Sequence, residues 1–247
     1  MRAYVDSHIG LVREENQDVC RLVELEGGIF AAVLDGMGGA KGGRVAAKLA
    51  AEEFLVQFSA SCTELFKKGI PSETDMQRLY SHAVYRANAV VLENAILTPA
   101  WEGMGTTLCA AYLLGGLAYI AHIGDSRAYL LRGGSILRLT HDDSLVQQRI
   151  DRGELTEQQA RESRERHLLT RALGVTPYAD FHFTVQALEK GDRLLLTTDG
   201  LTAHLTDEEI GALAAEQESP SALVKRCINE ACVRGGSDNI TVAVIEK

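Results

Sequence analysis

The sequence contains no apolar run approaching the roughly 18 residues that a membrane-spanning helix needs, so no membrane partner is expected. Cysteine is scarce: five residues, at 20, 62, 109, 227 and 232, none of them in a Cys-x-x-Cys pair. That spacing argues against a disulfide framework and a thiolate zinc cluster, and it fits a reducing, cytoplasmic location. Positive charge is in the minority, with a net charge of −9, which argues against binding nucleic acid and leaves cation binding open. A signal peptide is not expected, because Asp6 and His8 interrupt the N-terminus before any apolar core region. There is no Ser/Pro-rich linker, composition break or internal repeat, and residues 1–247 read as a single domain. Nothing in the sequence forces more than a monomer.

What is present is an ordinary globular balance, 46% hydrophobic and 24% charged, over a length sufficient for a sizeable core. The most informative stretch is Gly28 to Gly43. Ile29–Leu34 is a continuous apolar run, too short for a helix and suited to a strand buried on both faces. Asp35 follows where that strand must emerge, and glycines at 36, 38, 39, 42 and 43 let the backbone turn sharply. A carboxylate beside accessible carbonyls suits a hard cation. Asp-Gly is also an ordinary tight turn, so this stretch does not decide the matter alone. A phosphate-cradling loop fails on spelling: no Gly-Lys-Ser/Thr follows, and the dinucleotide fingerprint counted from Gly36 needs glycine where Lys41 stands.

Strands are expected at Arg2–His8, Asp18–Leu25 and Ile29–Leu34. Apolar residues at 46, 47, 50, 51, 54, 55 and 58, opposite Arg44, Lys48 and Glu52, predict an amphipathic helix from Gly43 to Phe58. A second helix opens at Pro71-Ser72, and its stripe runs from Met76 to Val91. Four strands follow between Thr106 and Leu139, where Gly-rich turns at 115–116 and 133–134 impose antiparallel pairing. Ser144–Arg152 and the segment behind Thr156 read as short helices, whereas Arg161–Arg171 lacks periodicity and reads as a mobile surface segment. Strands at Phe181–Ala187, Arg193–Thr197 and Ile240–Ile245 enclose a second helix pair, Thr206–Ala215 and Pro220–Val233. Strands in blocks and helices in pairs predict an α+β fold: a four-layer αββα sandwich of two antiparallel sheets flanked by helix pairs.

Acids recur at strand ends: Asp18, Asp35, Asp125, Asp199 and Asp238. Each alone is an ordinary turn residue. Together, if the ends converge, their repulsion demands a counter-charge. An all-oxygen set selects Mg²⁺ or Mn²⁺, and the chain has no EF-hand loop for calcium. Two-ion oxygen sites are commonly phosphoester-hydrolysing centres, where a bridging water attacks phosphorus in line. Arg13, five residues before Asp18, is the candidate phosphate clamp.

Seven motifs, Arg13-Glu14-Glu15-Asn16-Gln17-Asp18, Asp35-Gly36-Met37-Gly38-Gly39, Gly103-Met104-Gly105-Thr106-Thr107, Gly124-Asp125-Ser126-Arg127, Leu169-Thr170-Arg171-Ala172-Leu173-Gly174, Thr198-Asp199-Gly200-Leu201 and Gly236-Ser237-Asp238-Asn239, carry a further likeness. In this order they resemble the metal-dependent (PPM, type 2C) Ser/Thr protein phosphatases, closest to the stand-alone bacterial branch. Gly103–Thr107 gains its meaning only from that likeness. The resemblance implies two Mn²⁺ or Mg²⁺ ions at one edge of the sandwich. Asp35 bridges both, Asp199 and Asp238 complete one shell, and the Gly36 carbonyl serves the other. It further implies that Asp18 acts through bound water and that Arg13 holds the phosphate. A third ion would take Asp125 with Asp199, and a variable flap would span about 144–168. The implied substrates are phosphoserine and phosphothreonine on proteins, opposing a Ser/Thr kinase. A catalytically weak scaffold that only binds partners is the alternative, and the complete acid set argues against it. The loop at 36–43 has no histidine of the kind many relatives use as an acid, so metal-bound water is expected to protonate the leaving alkoxide. His141 is the other histidine weighed for that role. Asp143 stands where relatives often have histidine.

Overall fold

The structure, a computed structural model, describes residues 1–247, the side chains of Ala40 and Lys41 excepted. Strands β1 (Arg2–His8), β2 (Val19–Leu25) and β3 (Gly28–Leu34) come first, followed by the two-residue β4 (Gly36–Met37). Helices α1 (Gly39–Phe66) and α2 (Glu73–Leu97) form an antiparallel pair. Next are β5 (Gly105–Thr106), β6 (Leu108–Leu114), β7 (Leu117–Ile123), β8 (Arg127–Arg132) and β9 (Ser135–Arg138). Two short helices, α3 (Leu145–Asp151) and α4 (Glu157–Glu162), lead to β10 (His182–Ala187) and β11 (Arg193–Thr197). The chain closes with α5 (Asp199–Thr202), α6 (Asp207–Glu216), α7 (Pro220–Val233) and β12 (Ile240–Glu246).

Two five-stranded antiparallel sheets result, in the orders β1-β12-β11-β8-β9 and β10-β7-β6-β3-β2. Their facing sides interdigitate through Ala31, Val33, Cys109 and Ile120 on one and Leu194, Leu196, Ala243 and Ile245 on the other. β3 is buried along its whole length, as its unbroken apolar run requires. On the outer faces, α1 and α2 cover the β3 sheet through Phe54, Phe58, Tyr80 and Tyr112, and α6 and α7 cover the β12 sheet through Ile210, Leu223 and Val224. The expected αββα sandwich is therefore the observed one.

Two local expectations are corrected, at the first helix and at 161–171. The first helix begins at Gly39 rather than Gly43 and runs on to Phe66. Gly42 and Gly43 are tolerated inside it because a Cβ at either would press on Met104 or on the Gly36 carbonyl. The break at Gly124–Ser126 does not join neighbouring strands of one sheet: β7 and β8 lie in different sheets, so Asp125 sits where the chain crosses between layers. The segment 161–171 is anchored rather than mobile. Leu145 and Leu168 are joined by a backbone bond of 2.8 Å, Arg149 holds Glu165 at 2.6 Å, and Leu173 pairs with Thr106.

Candidate metal centre

The five acids lie at one edge of the sandwich because the elements that carry them end there. β3 delivers Asp35 from one sheet; β11 and β12, neighbours in the other, carry Asp199 past the end of one and Asp238 before the start of the other. Asn239 draws in the first loop: its amide donates to the Ile9 and Glu15 carbonyls at 2.8 and 3.0 Å, and its carbonyl accepts from the Gln17 N–H at 2.8 Å. That loop brings Arg13 Nη2 to 2.7 Å from Asp238 Oδ2. Asp18 is buried, and its Oδ2 accepts from the Thr198 and Thr241 hydroxyls at 2.8 and 2.6 Å.

The Gly103–Thr107 motif acquires a physical role. Thr107 Oγ1 accepts from the Asp35 N–H at 2.9 Å, and the Thr107 N–H and Thr106 hydroxyl both donate to the Asp35 carbonyl. Thr107 Oγ1 also meets Ser126 Oγ at 2.7 Å, beside Asp125. The pair of threonines thus fixes the backbone of Asp35 and ties it to the crossing loop.

Electrostatically the cluster is under-compensated: Arg13 pairs with Asp238 at the rim, while the buried acids chiefly face one another. Among the described residues, Asp18 Oδ1 and Asp199 Oδ1 are buried with no hydrogen-bond partner, a costly state for carboxylate oxygens. Burial pushes the Asp18 carboxyl up to about 7, against the two threonine hydroxyls, and the charges of Asp199 and Asp238 add to the rise. The Asp35 carboxyl is raised well above its ordinary range, by burial first and then by Asp18, Asp199, Asp125 and Asp238. Asp125 is raised by burial, then by Asp199 and Asp142, with Arg127 partly offsetting. Orphaned carboxylate oxygens, beside Asp18, Asp35 and Asp125 carboxyls that resist ionisation, are what a hard divalent cation relieves, and the carboxylate donors fit Mn²⁺ or Mg²⁺.

Close backbone approach holds the rim. A Cβ on Gly200 would collide with the Asn239 carbonyl, and one on Gly36 with the Gly43 carbonyl. Gly200→Ala is therefore expected to cost about 3 kcal/mol, since backbone cannot yield as a side chain does. A denaturant midpoint unchanged from the parent would refute that reading.

Arg13, Asp18, Asp35, Gly36, Asp125, Asp199 and Asp238, the metal and phosphate candidates from the sequence, therefore belong to one edge. His141 does not join them; it is exposed and lies 3.1 Å from Asp151. One residue was missed. His167, from the segment read as mobile, places Nδ1 3.5 Å from Asp199 Oδ2, and its ligand atom lies within 4.8 Å of those of Asp199 and Asp238. No periodicity or motif signals it; only the path of the flap does. Beside it opens a cavity of about 100 Å³, bordered by Asp125, Asp199, His167, Arg161 and Arg166.

Comparison with known proteins gives a consistent result. The family model described as Protein phosphatase 2C matches residues 7–227. A putative protein phosphatase 2C-type protein of Streptococcus pyogenes is 31% identical over 251 residues, covering 99% of this chain and 97% of that protein. The serine/threonine protein phosphatase PstP of Mycobacterium tuberculosis is 35% identical over 247 residues, and this chain spans 45% of its length. The crystal structure of the PstP catalytic domain in complex with two manganese ions superposes with a TM-score of 0.85 at 33% identity, covering 99% of this chain and 97% of that one.

Proposed function

This chain belongs to the protein phosphatase 2C family and is a serine/threonine protein phosphatase, and we propose that the carboxylate edge is its catalytic centre. The observation that carries the assignment is the convergence of Asp18, Asp35, Asp125, Asp199 and Asp238, the other four each raising the proton affinity of Asp35. Asp35, Asp199 and Asp238, together with the Gly36 carbonyl, would hold two Mn²⁺ or Mg²⁺ ions, and Asp125 with Asp199 would hold a third. Bound there, the ions supply Lewis acidity toward the phosphoryl oxygens and toward water.

The chain's own residues do the rest. Thr198 and Thr241 hold Asp18 in one orientation, leaving its Oδ1 free toward the cluster. Arg13 leaves Asp238 for the substrate and grips two phosphoryl oxygens with its planar fork, its half-exposed side chain giving it the freedom to move. The flap, about 144–168, forms one wall of the adjoining cavity and meets the protein flanking the phosphorylated residue. The substrates are phosphoserine and phosphothreonine proteins, the products of a Ser/Thr kinase, and the enzyme acts as a monomer away from nucleic acid. Among the described residues no helix is long and apolar enough to cross a membrane.

The primary test is release of p-nitrophenol from p-nitrophenyl phosphate. Turnover should require Mn²⁺ or Mg²⁺ and vanish with EDTA, and a phosphopeptide panel should favour phosphothreonine and phosphoserine over phosphotyrosine. No turnover with any divalent ion would favour the scaffold reading. Arg13→Ala should lower kcat/KM by roughly 10- to 100-fold, mostly through KM, the size expected for a lost charge-assisted pair to phosphate. An unchanged KM would remove Arg13 from the phosphate site.

A further inference from the structure

A second group of metal-ligating side chains lies behind the carboxylate edge and is not used by the chemistry above. His122 on β7 and His182 on β10 are register partners in adjacent antiparallel strands, so both project from the same face. Their rings are 5.6 Å apart and inclined by 27°. Asp143 lies in the loop between β9 and α3, and one ligand atom from each of the three lies within 4.8 Å of the others.

We propose that His122, His182 and Asp143 form a separate binding site for a zinc-class transition-metal ion. Two imidazole nitrogens and one carboxylate oxygen suit zinc and its borderline neighbours, whereas the all-oxygen edge suits magnesium and manganese. The strongest observation is His122 itself: it is 1% exposed, and among the described residues neither ring nitrogen makes a well-formed hydrogen bond, the Gly124 backbone acting on the ring only weakly. A buried imidazole with neither nitrogen well bonded is expensive, and an ion at one of them removes much of that cost. Burial also pushes this imidazole down to about 4, so at neutral pH it is uncharged and keeps a lone pair for a metal.

Asp143 is prepared in the same way. Its Oδ2 accepts from the Gly124 N–H at 3.1 Å, which fixes the carboxylate and leaves Oδ1 toward the histidines. Oδ1 already attracts positive charge: Arg171 Nη1 lies 3.2 Å away, and His182 Nε2 lies at 3.1 Å. Arg171 Nη1 is also 3.2 Å from His182 Nε2, so the guanidinium stands where a cation would. The Arg171 side chain is about half exposed and swings into solvent to admit one. With three protein ligands a tetrahedral ion keeps a fourth position, open to water on the His182 side.

The location gives such an ion leverage. Asp143 also donates its N–H to the Gly124 carbonyl at 2.7 Å, Asp125 is the next residue after Gly124, and Ser144 caps α3 at the base of the flap. Zinc here would fasten two strands of one sheet to the loop that carries the flap, one residue from the carboxylate edge. The binding itself does not depend on the phosphatase reading.

The test uses the intact protein, stripped by chelation and then saturated with Mg²⁺ to fill the carboxylate edge. Zn²⁺ is titrated in while the histidine ring nitrogens are followed by NMR. One equivalent should move the His122 and His182 nitrogens together. His182→Ala and Asp143→Asn should each weaken zinc binding at least tenfold, and Arg171→Gln should tighten it severalfold by removing the competing cation. His182 and Arg171 are both partly exposed, so their variants report on binding rather than on folding. Zinc that moves only the His167 ring has gone to the carboxylates, and that result overturns the proposal. So does an affinity that is the same in all three variants.

Discussion

Asp35→Asn is expected to abolish turnover and to stabilise the metal-free protein, two changes of opposite sign from one substitution. The side chain keeps its shape and loses one negative charge at the centre of the edge. Without that charge the site holds its ions weakly, and turnover of p-nitrophenyl phosphate should fall roughly a thousandfold or more. In the metal-free protein, Asp35 sits among Asp18, Asp125, Asp199 and Asp238, all of which disfavour its ionised form, as does its burial. Replacing it with a neutral amide removes that repulsion and adds donors where Asp18 Oδ1 and Asp199 Oδ1 lack them. A gain of about 2 kcal/mol in EDTA at pH 7–8 is expected. For a chain of this length that raises Tm by roughly 4–8 °C. With Mn²⁺ present the order should reverse, because only the parent is held together by the ion. A metal-free Asp35→Asn protein that melts below its parent would mean that Asp35 is a packing residue and the repulsion is not real.

The parts of the fold that were legible in the sequence are those written as periodicity. The stripe from Ala46 to Phe58, the run Ile29–Leu34 and the helix start at Ser72 each state a local preference that the packing endorses. The acids were legible for a different reason: a carboxylate at the end of a buried strand has few roles, and five of them raise the same question five times. Illegible features are made by contacts between distant segments. Whether Gly42 and Gly43 are loop or helix depends on Met104 and Gly36, which no local pattern around them encodes. The segment 161–171 has no apolar rhythm because it is held by point contacts, such as Arg149 to Glu165, rather than by a buried face. His167 was missed on that account. The likeness of His122 and His182 was equally hidden, since sixty residues separate them and only the pairing of β7 with β10 makes them neighbours.

Removing the ions should make the protein's stability fall with rising pH relative to the metal-loaded form. The sign follows from Asp18. Its folded carboxyl is pushed up to about 7 from an ordinary 3.8, so between those values the folded state holds a proton that the unfolded chain has released. The stabilisation this confers is complete below about pH 4 and is lost as pH rises through 7. For Asp18 alone it amounts to about 4 kcal/mol. Bound Mn²⁺ or Mg²⁺ takes over from the proton, so the loaded protein does not suffer the loss. His122 acts in the opposite sense: its imidazole, lowered from 6.5 to about 4 by burial, destabilises the fold as pH falls through that window. That contribution is common to both forms and cancels in their difference. Unfolding free energies from denaturant titrations in EDTA and in Mn²⁺ should therefore lie close together at pH 5 and separate by several kcal/mol at pH 8. Binding of Mn²⁺ at pH 6 should also release protons, measurable by calorimetry in buffers of different ionisation heat. If the gap between the two forms is the same at pH 5 and pH 8, protons and metal ions do not compete for one site, and the carboxylates do not form the single charged pocket on which the catalytic assignment depends.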